Sequence, residues 1–399
     1  MLQPITPLAV SAYTATSALG HGLAAHRRAL EASRTGLRAN DFSLAPLECW
    51  VGRVDGVEQA PLPASLASWE CRNNRLAWLG LNQDGFLDAV HAARERYGAT
   101  RVALLMGTST ASIGATEEAY RRLDPDGGFP DDMLRPPIHA PHSLAGFLAE
   151  ALALEGPCLT ISTACSSSAK VFASAERLIR LGLADAALVG GVDTLCDSVL
   201  FGFNALELVS KQPCRPFDAR RNGISIGEAA AFALLERVEA APHAPRLIGY
   251  GESSDAHHMS TPHPEARGAR AALEDALARA GLAAEQVDYV NLHGTATVKN
   301  DEMEALLLPR LSTAARASST KGFTGHTLGA AGALEAVFAL LAIERGFIPP
   351  NLNCAQPFNG ARAWLELEPR EKRIGVALSN SFGFGGNNAC LAFARAGAA

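Results

Sequence analysis

The chain has 399 residues, with 41 Asp and Glu against 35 Lys and Arg, a formal net charge of −6 and 48% hydrophobic residues. That is enough apolar material for two domain-sized cores and too much for a disordered chain. The acidic balance argues against a nucleic-acid binder, which wants a basic surplus, and no apolar run reaches the 18 residues of a membrane span.

In chain order, the opening MLQPITPLAVSAYTATSALG is apolar but carries no Lys or Arg, so it does not read as a signal peptide. Helical periodicity follows over Leu23–Ala32 and again over Asn74–Arg96. Continuous apolar runs of strand length come next: Val102–Thr108, Cys158–Thr163, Ala186–Gly191, Glu228–Leu235, Tyr289–His293 and Ile374–Ser379. Between them lie helical patterns at Ser166–Leu181, Arg267–Ala280, Glu302–Leu311 and Leu328–Arg345, several ending at a glycine suited to a left-handed cap. The alternation of strands and helices indicates an α/β architecture with parallel character. Glu239–Pro245 (EAAPHAP) divides the chain into halves at 1–238 and 239–399, and no internal repeat is evident. Eight cysteines are scattered without a CxxC pair, which argues against zinc ribbons and a disulfide framework and for a reduced, cytoplasmic protein.

Four segments carry chemistry. In TISTACSSSA (Thr160–Ala169) an apolar strand runs into Cys165 and a helix pattern starts at once. A side chain at such a turn stands above the sheet, and the helix N-terminus behind it favours a thiolate and offers N–H donors to an oxyanion. The plain alternative is a small buried core cysteine. In YVNLHGTAT (Tyr289–Thr297), His293 closes a strand ahead of Gly294, Thr295 and Thr297. STKGFTGHTLGAAG (Ser319–Gly332) places Lys321 and His326 in a glycine-punctuated loop. SNSFGFGGNN (Ser379–Asn388) carries Phe382 and Phe384 on a glycine-rich turn, a weak signal by itself.

The four segments in this order resemble the β-ketoacyl-acyl carrier protein synthases of the elongating type I/II. The resemblance extends through RPFDARRNGISIGEAAAFALLE (Arg215–Glu236) and SSDAHHMSTP (Ser253–Pro262) over nearly the whole chain. It implies a thiolase fold, two similar α/β halves in a layered α-β-α-β-α arrangement, usually a homodimer or else a heterodimer with a ketosynthase-like subunit. It also implies that Cys165 accepts an acyl group, that His293 and His326 assist decarboxylation of a malonyl unit, and that Lys321 tunes them. Phe384 matches the family's gate near the acyl pocket, and Thr295 and Thr297 would touch a phosphopantetheine arm. That arm belongs to the acyl carrier protein, which delivers acyl and malonyl thioesters, so neither a separate cofactor nor a metal is implied. Thr110 stands where relatives with strict chain-length control carry a bulkier apolar residue. Asn387 and Ser260 stand where threonine is common. CRNNRLAWL (Cys71–Leu79) is similar to synthases of aryl polyene-type polyketide clusters. An acidic carrier protein calls for a basic docking face, for which Arg72, Arg75, Arg220 and Arg221 are the candidates.

The reaction implied is a decarboxylative Claisen condensation giving 3-oxoacyl-carrier protein, in fatty acid or aryl polyene/polyketide elongation. A thiolase would carry a second catalytic cysteine inside the C-terminal glycine-rich loop, and Cys390 lies beyond it. The initiating synthases use Cys, His and Asn, against which His326 argues. The rival from another class is a non-elongating, chain-length-factor-like partner subunit, which resembles the enzyme but lacks the nucleophile.

Overall fold

The computed structural model describes residues 3–311, 314–358 and 360–398. Ten strands build the main sheet system: β1 (Leu8–Ser17), β2 (Val102–Gly107), β3 (Cys158–Ile161), β4 (Ala186–Asp193), β5 (Ala229–Arg237), β6 (Arg246–Ser254), β7 (Tyr289–Asn291), β8 (Arg316–Ser318), β9 (Val376–Gly383) and β10 (Asn387–Ala394). Their order is β8-β7-β9-β10-β6-β1-β5-β4-β2-β3. Outward from the antiparallel β1–β6 seam, the first half runs 1-5-4-2-3 and the second 6-10-9-7-8, so one strand order occurs twice. Strand directions repeat as well, two antiparallel pairings followed by two parallel ones in each half. Even the register shift recurs, between Val10 and Ala12 and between Leu247 and Gly249. The duplication that the residues hide is plain in the backbone.

Alternation along each strand sets the layers. In β2, Ala103 and Leu105 face a central core, while Val102, Leu104 and Met106 face an outer one. In β10, Ala389, Leu391 and Phe393 point to the same central core, and Cys390 and Ala392 to a second outer core. Between the two five-stranded units lie α1 (Ser167–Arg180) and α2 (Ala331–Arg345), which pack on each other and supply a large share of the central core. Residues Ala331 to Ile343 of α2 are all buried, as expected of a helix enclosed on every side. Its Gly332 lies so near α1 that a Cβ there would sit 2.5 Å from the Ala169 nitrogen. Outer helices such as Phe86–Tyr97 and Arg267–Ala280 cover the remaining faces, giving the five layers of the thiolase fold.

Most sequence-derived elements fall within a few residues of the observed ones. The expected helix Asn74–Arg96 is instead two, Arg72–Leu81 and Phe86–Tyr97, because Asp84 (φ 55°) and Gly85 (φ 70°) turn left-handed between them. Asp84 then accepts the Leu23 N–H (2.9 Å) and the Thr14 hydroxyl (2.7 Å), tying the break to the N-terminal strand and helix. Strand β1 was not expected, its small and polar residues masking it. Among the described residues no helix is long and apolar enough to cross a membrane.

Candidate active site

The ends of β2, β3 and β4 from one half meet the ends of β7, β8 and β9 from the other, and each loop leaving them contributes a functional side chain. Cys165 lies between β3 and α1, just after Ala164 in the left-handed region (φ 51°), a strained elbow that lifts the sulfur above the sheet. His293 and Thr295 follow β7, Lys321 and His326 lie between β8 and α2, and Phe384 follows β9.

These groups converge. His326 Nε2 is 2.9 Å from Cys165 Sγ, and the two histidine rings stand edge to face with centroids 5.3 Å apart. Lys321, 1% exposed, donates from Nζ to the His293 carbonyl (2.5 Å), to His293 Nδ1 (3.3 Å) and to the Glu335 carboxylate. An ammonium has no acceptor, so His293 Nδ1 must be the unprotonated nitrogen and Nε2 carries the hydrogen that faces the cavity. Glu304 fixes the loop from below, accepting the N–H groups of His293 (2.8 Å) and Gly294 (2.7 Å) and the Asn380 amide (3.1 Å). Glu304 and Glu335 thus steady these loops by different means, one through backbone N–H groups and the other through Lys321.

Burial pushes the pKa values of both histidines well below the ordinary imidazole range, and the Lys321 charge pushes them the same way. Both rings are therefore neutral near pH 7 and available as hydrogen-bond donors. Burial also pushes Glu304 and Glu335 up to about 7 and Asp301 up to about 6. Cys165 departs from the sequence expectation of a favoured thiolate. Burial pushes its thiol up to about 11, only partly offset by Lys321 and by the Phe384 N–H directed at the sulfur, while Asp193 and Glu335 push it further up. Six per cent exposure of the residue outweighs the dipole of α1.

A cavity of about 360 Å³ opens onto Cys165, His293 and His326. Thr295, Thr297, Phe382 and Phe384 line it, with Asp255, His258 and Ser260 nearer its mouth. Phe384 rests against Phe203 (centroids 5.5 Å) and Phe382 against His293 (5.8 Å). Lys321 lies behind His293 rather than on the wall. Asn387 accepts a hydrogen bond from Lys170 Nζ (3.2 Å).

Thr110 is placed differently. It is 4% exposed, its hydroxyl and N–H both go to Asp193 (2.7 and 3.0 Å), and it is absent from the cavity lining. Three of the four arginines offered for docking are also consumed internally. Arg72 donates to buried Glu228 (2.6 and 3.1 Å) and pairs with Glu58. Arg75 pairs with Glu70 and donates to the Glu58 carbonyl (3.0 Å). Arg221, 8% exposed, stacks 3.9 Å over Phe358 and donates to the Asp218 carbonyl (3.0 Å). Arg220 is the most exposed of the four, its side chain 63% exposed although it pairs with buried Asp218 at 3.7 Å. Sequence reasoning missed Lys299, an exposed cation on the cavity rim, although VKND directly follows the HGTAT segment.

The donor atoms of Cys165, His293 and His326 lie within 4.8 Å of one another, close enough to bracket a metal ion. Ligation by His293 would need the Nε2 lone pair and would turn an Nδ1 hydrogen toward the Lys321 ammonium, so the lysine disfavours it.

Residues 76–241 match the β-ketoacyl synthase N-terminal domain and residues 245–355 the β-ketoacyl synthase C-terminal domain. The chain is 38% identical to Nodulation protein E of Rhizobium meliloti (strain 1021), over 75% of each chain. It is 35% identical to 3-oxoacyl-[acyl-carrier-protein] synthase 2 of Coxiella burnetii, over 74% of this chain and 76% of that one. Among solved structures it resembles the ketosynthase ApeO, described in complex with its chain length factor ApeC from Xenorhabdus doucetiae, at 37% identity and TM-score 0.87 over 98% of both chains. With both domains matched in one thiolase-type fold, the chain belongs to the β-ketoacyl synthase family and is an acyltransferase of the 3-oxoacyl-[acyl-carrier-protein] synthase class.

Proposed function

We propose that Cys165 is the acyl-accepting nucleophile and that His293, His326 and Lys321 run a decarboxylative condensation with malonyl-carrier protein. The observation that carries this reading is the 2.9 Å contact between His326 Nε2 and Cys165 Sγ, beside a His293 tautomer fixed by Lys321. With the thiol pushed up to about 11, the nucleophile forms during attack. The sulfur bonds to the thioester carbonyl, its proton passes to His326 Nε2, and from there it goes to the departing carrier thiolate. The Phe384 N–H stands ready as a donor to the oxyanion.

In the second half-reaction malonyl-carrier protein loses CO₂ and its carbonyl oxygen takes up the charge of an enolate. The Nε2–H of His293 supports that charge, joined by His326 once its ring, no longer facing a thiol hydrogen, carries its own hydrogen on Nε2 instead of Nδ1. Neutral imidazoles serve this step because a protonated one would quench the carbanion. The carbanion attacks the Cys165 thioester, the new carbon–carbon bond releases the sulfur as thiolate, and 3-oxoacyl-carrier protein leaves.

The same reading takes phosphopantetheine from an acyl carrier protein, with Thr295 and Thr297 along its path, and needs no further cofactor. Arg220 and Lys299 are the cations proposed to meet the acidic carrier. Residues 1–238 and 239–399 serve as the two structural halves. The likeness to a ketosynthase described with its chain length factor supports a heterodimer with such a subunit over a homodimer, and an aryl polyene or other polyketide pathway over primary fatty acid synthesis. The rival, a non-elongating partner subunit, has no use for an intact Cys, His, Lys and His set. Product analysis with malonyl-carrier protein and a panel of acyl primers, with and without a candidate partner subunit, tests the reading. Formation of 3-oxoacyl-carrier protein is expected, and its absence under both conditions would refute it.

A further inference from the structure

Asp193, at the end of β4, is 0% exposed, and no Lys or Arg among the described residues pairs with it. Its carboxylate is instead surrounded by six donors. Five come from the loop after β2: the hydroxyls of Thr108, Ser109 (2.8 Å) and Thr110 (2.7 Å), and the N–H groups of Ser109 (2.9 Å) and Thr110 (3.0 Å). The sixth is the Gly329 N–H (2.6 Å), from the other half of the chain and three residues past His326. Ser109 Oγ also accepts that N–H at 3.2 Å.

Leu328, between His326 and Gly329, is held at φ 56°, a conformation a leucine adopts only under constraint. A Cβ on Gly329 would lie 2.5 Å from the Ser109 nitrogen and 2.6 Å from Asp193 Oδ2, so the approach leaves no room for a side chain. His326 itself is tied through its backbone to the neighbouring strand end, its N–H to the Ser225 carbonyl (2.7 Å) and its carbonyl to the Gly227 N–H (2.9 Å), while its ring Nδ1 has no partner. Those two bonds hold His326 to its own half of the site, and the Gly329 bond to Asp193 is what ties the chain beyond it to the loop after β2.

We propose that Asp193 is a positioning residue for His326, setting the Nε2 to Sγ separation by clamping Gly329 to the loop of the opposite half. A buried carboxylate needs strong compensation, and here every compensating group belongs to one of the two loops that must be held together. The inference rests on the reading of His326 as a catalytic residue. It also gives Thr110 its work: the hydroxyl is a clamp donor.

The test is Asp193→Asn in the full-length protein. An amide cannot accept from all six donors and turns its own N–H₂ toward some of them. Misplacing a catalytic group by about 1 Å costs on the order of 10²-fold in rate. A fall of about that size in kcat is expected, with KM for the acyl-carrier thioester unchanged within about two-fold. Removing the Asp193 charge should at the same time speed alkylation of Cys165 by iodoacetamide at pH 8 with circular dichroism and Tm unchanged, which separates it from exposure of the thiol by unfolding. Thr110→Val, which removes one clamp donor but keeps the Gly329 bond, should lower kcat much less than Asp193→Asn does. If Asp193→Asn does not fold, Ser109→Ala removes the hydroxyl bridging Asp193 and Gly329 and should lower kcat with little change in Tm. Wild-type kcat in Asp193→Asn, or activity falling only in proportion to folded protein in both variants, would overturn the inference. Unimpaired condensation in His326→Ala would instead overturn the reading it rests on.

Discussion

Replacing Lys321 by methionine removes one buried charge at nearly constant volume. Two unit charges 3.3 Å apart interact by about 5 kcal/mol at an effective dielectric of 20. Glu335, which shares the ammonium, offsets part of this field wherever it is ionised, so at least about 1–2 kcal/mol remains at the histidines. At about 1.4 kcal/mol per pKa unit, that corresponds to about one unit. Burial already pushes Glu335 up to about 7, so without Lys321 it is a neutral acid across the assay range and no unpaired charge remains buried. Because Lys321 depresses both imidazoles, its loss raises them, and more of the enzyme carries an imidazolium at a given acidic pH. The acid limb of malonyl-carrier decarboxylation should therefore move up by about one pH unit. The assay is CO₂ or acetyl-carrier release between pH 5 and 8, with circular dichroism at each pH. A limb that stays in place while the rate falls uniformly, or one that moves to lower pH, would refute the electrostatic role of Lys321.

Stability should be nearly flat between about pH 5 and 7 and fall below about 4.5. His26, His293 and His326 have depressed folded pKa values, so only the unfolded chain binds their protons below 6.5, and stability drops with acid. Glu304, Glu335 and Asp301 are raised, so between their unfolded and folded values only the native state is protonated, and stability rises with acid. The two trios offset each other until the carboxyls saturate; a steep slope at pH 6 in denaturant melts would contradict this balance. Arg220→Glu with Lys299→Glu should raise KM for the carrier several-fold without changing Tm. Arg72→Glu should instead cost about 3–5 kcal/mol by leaving Glu228 facing a like charge, seen as a lower denaturation midpoint. Gly332→Ala should cost about 1–3 kcal/mol, since its methyl would overlap Ala169 on α1, and a wild-type melting curve would count against that packing.

Much of the site was legible in the sequence because its chemistry sits at strand ends. Cys165 and His293 each close an apolar run, His326 sits in a glycine-punctuated loop, and turn glycines mark the segments that bring them together. The protonation of Cys165 was not legible, because it depends on enclosure from both halves, which no local pattern records. Thr110 and Arg72 were misread for a related reason: their partners, Asp193 and Glu228, lie 83 and 156 residues away. The duplicated strand order stayed hidden because β1 reads LAVSAYTATS and β6 RLIGYGESS, two different solutions to the same largely buried, bulged strand. The helix break at Asp84 and Gly85 was signalled by the residues NQDG but was overridden by uninterrupted apolar periodicity on either side.

The most direct measurement is the intact mass of the protein after mixing with an acyl-carrier thioester. A mass gain of one acyl group per chain, absent in Cys165→Ala and released on adding malonyl-carrier protein, is the predicted result. No gain in the wild-type chain, or a gain that survives Cys165→Ala, would contradict it.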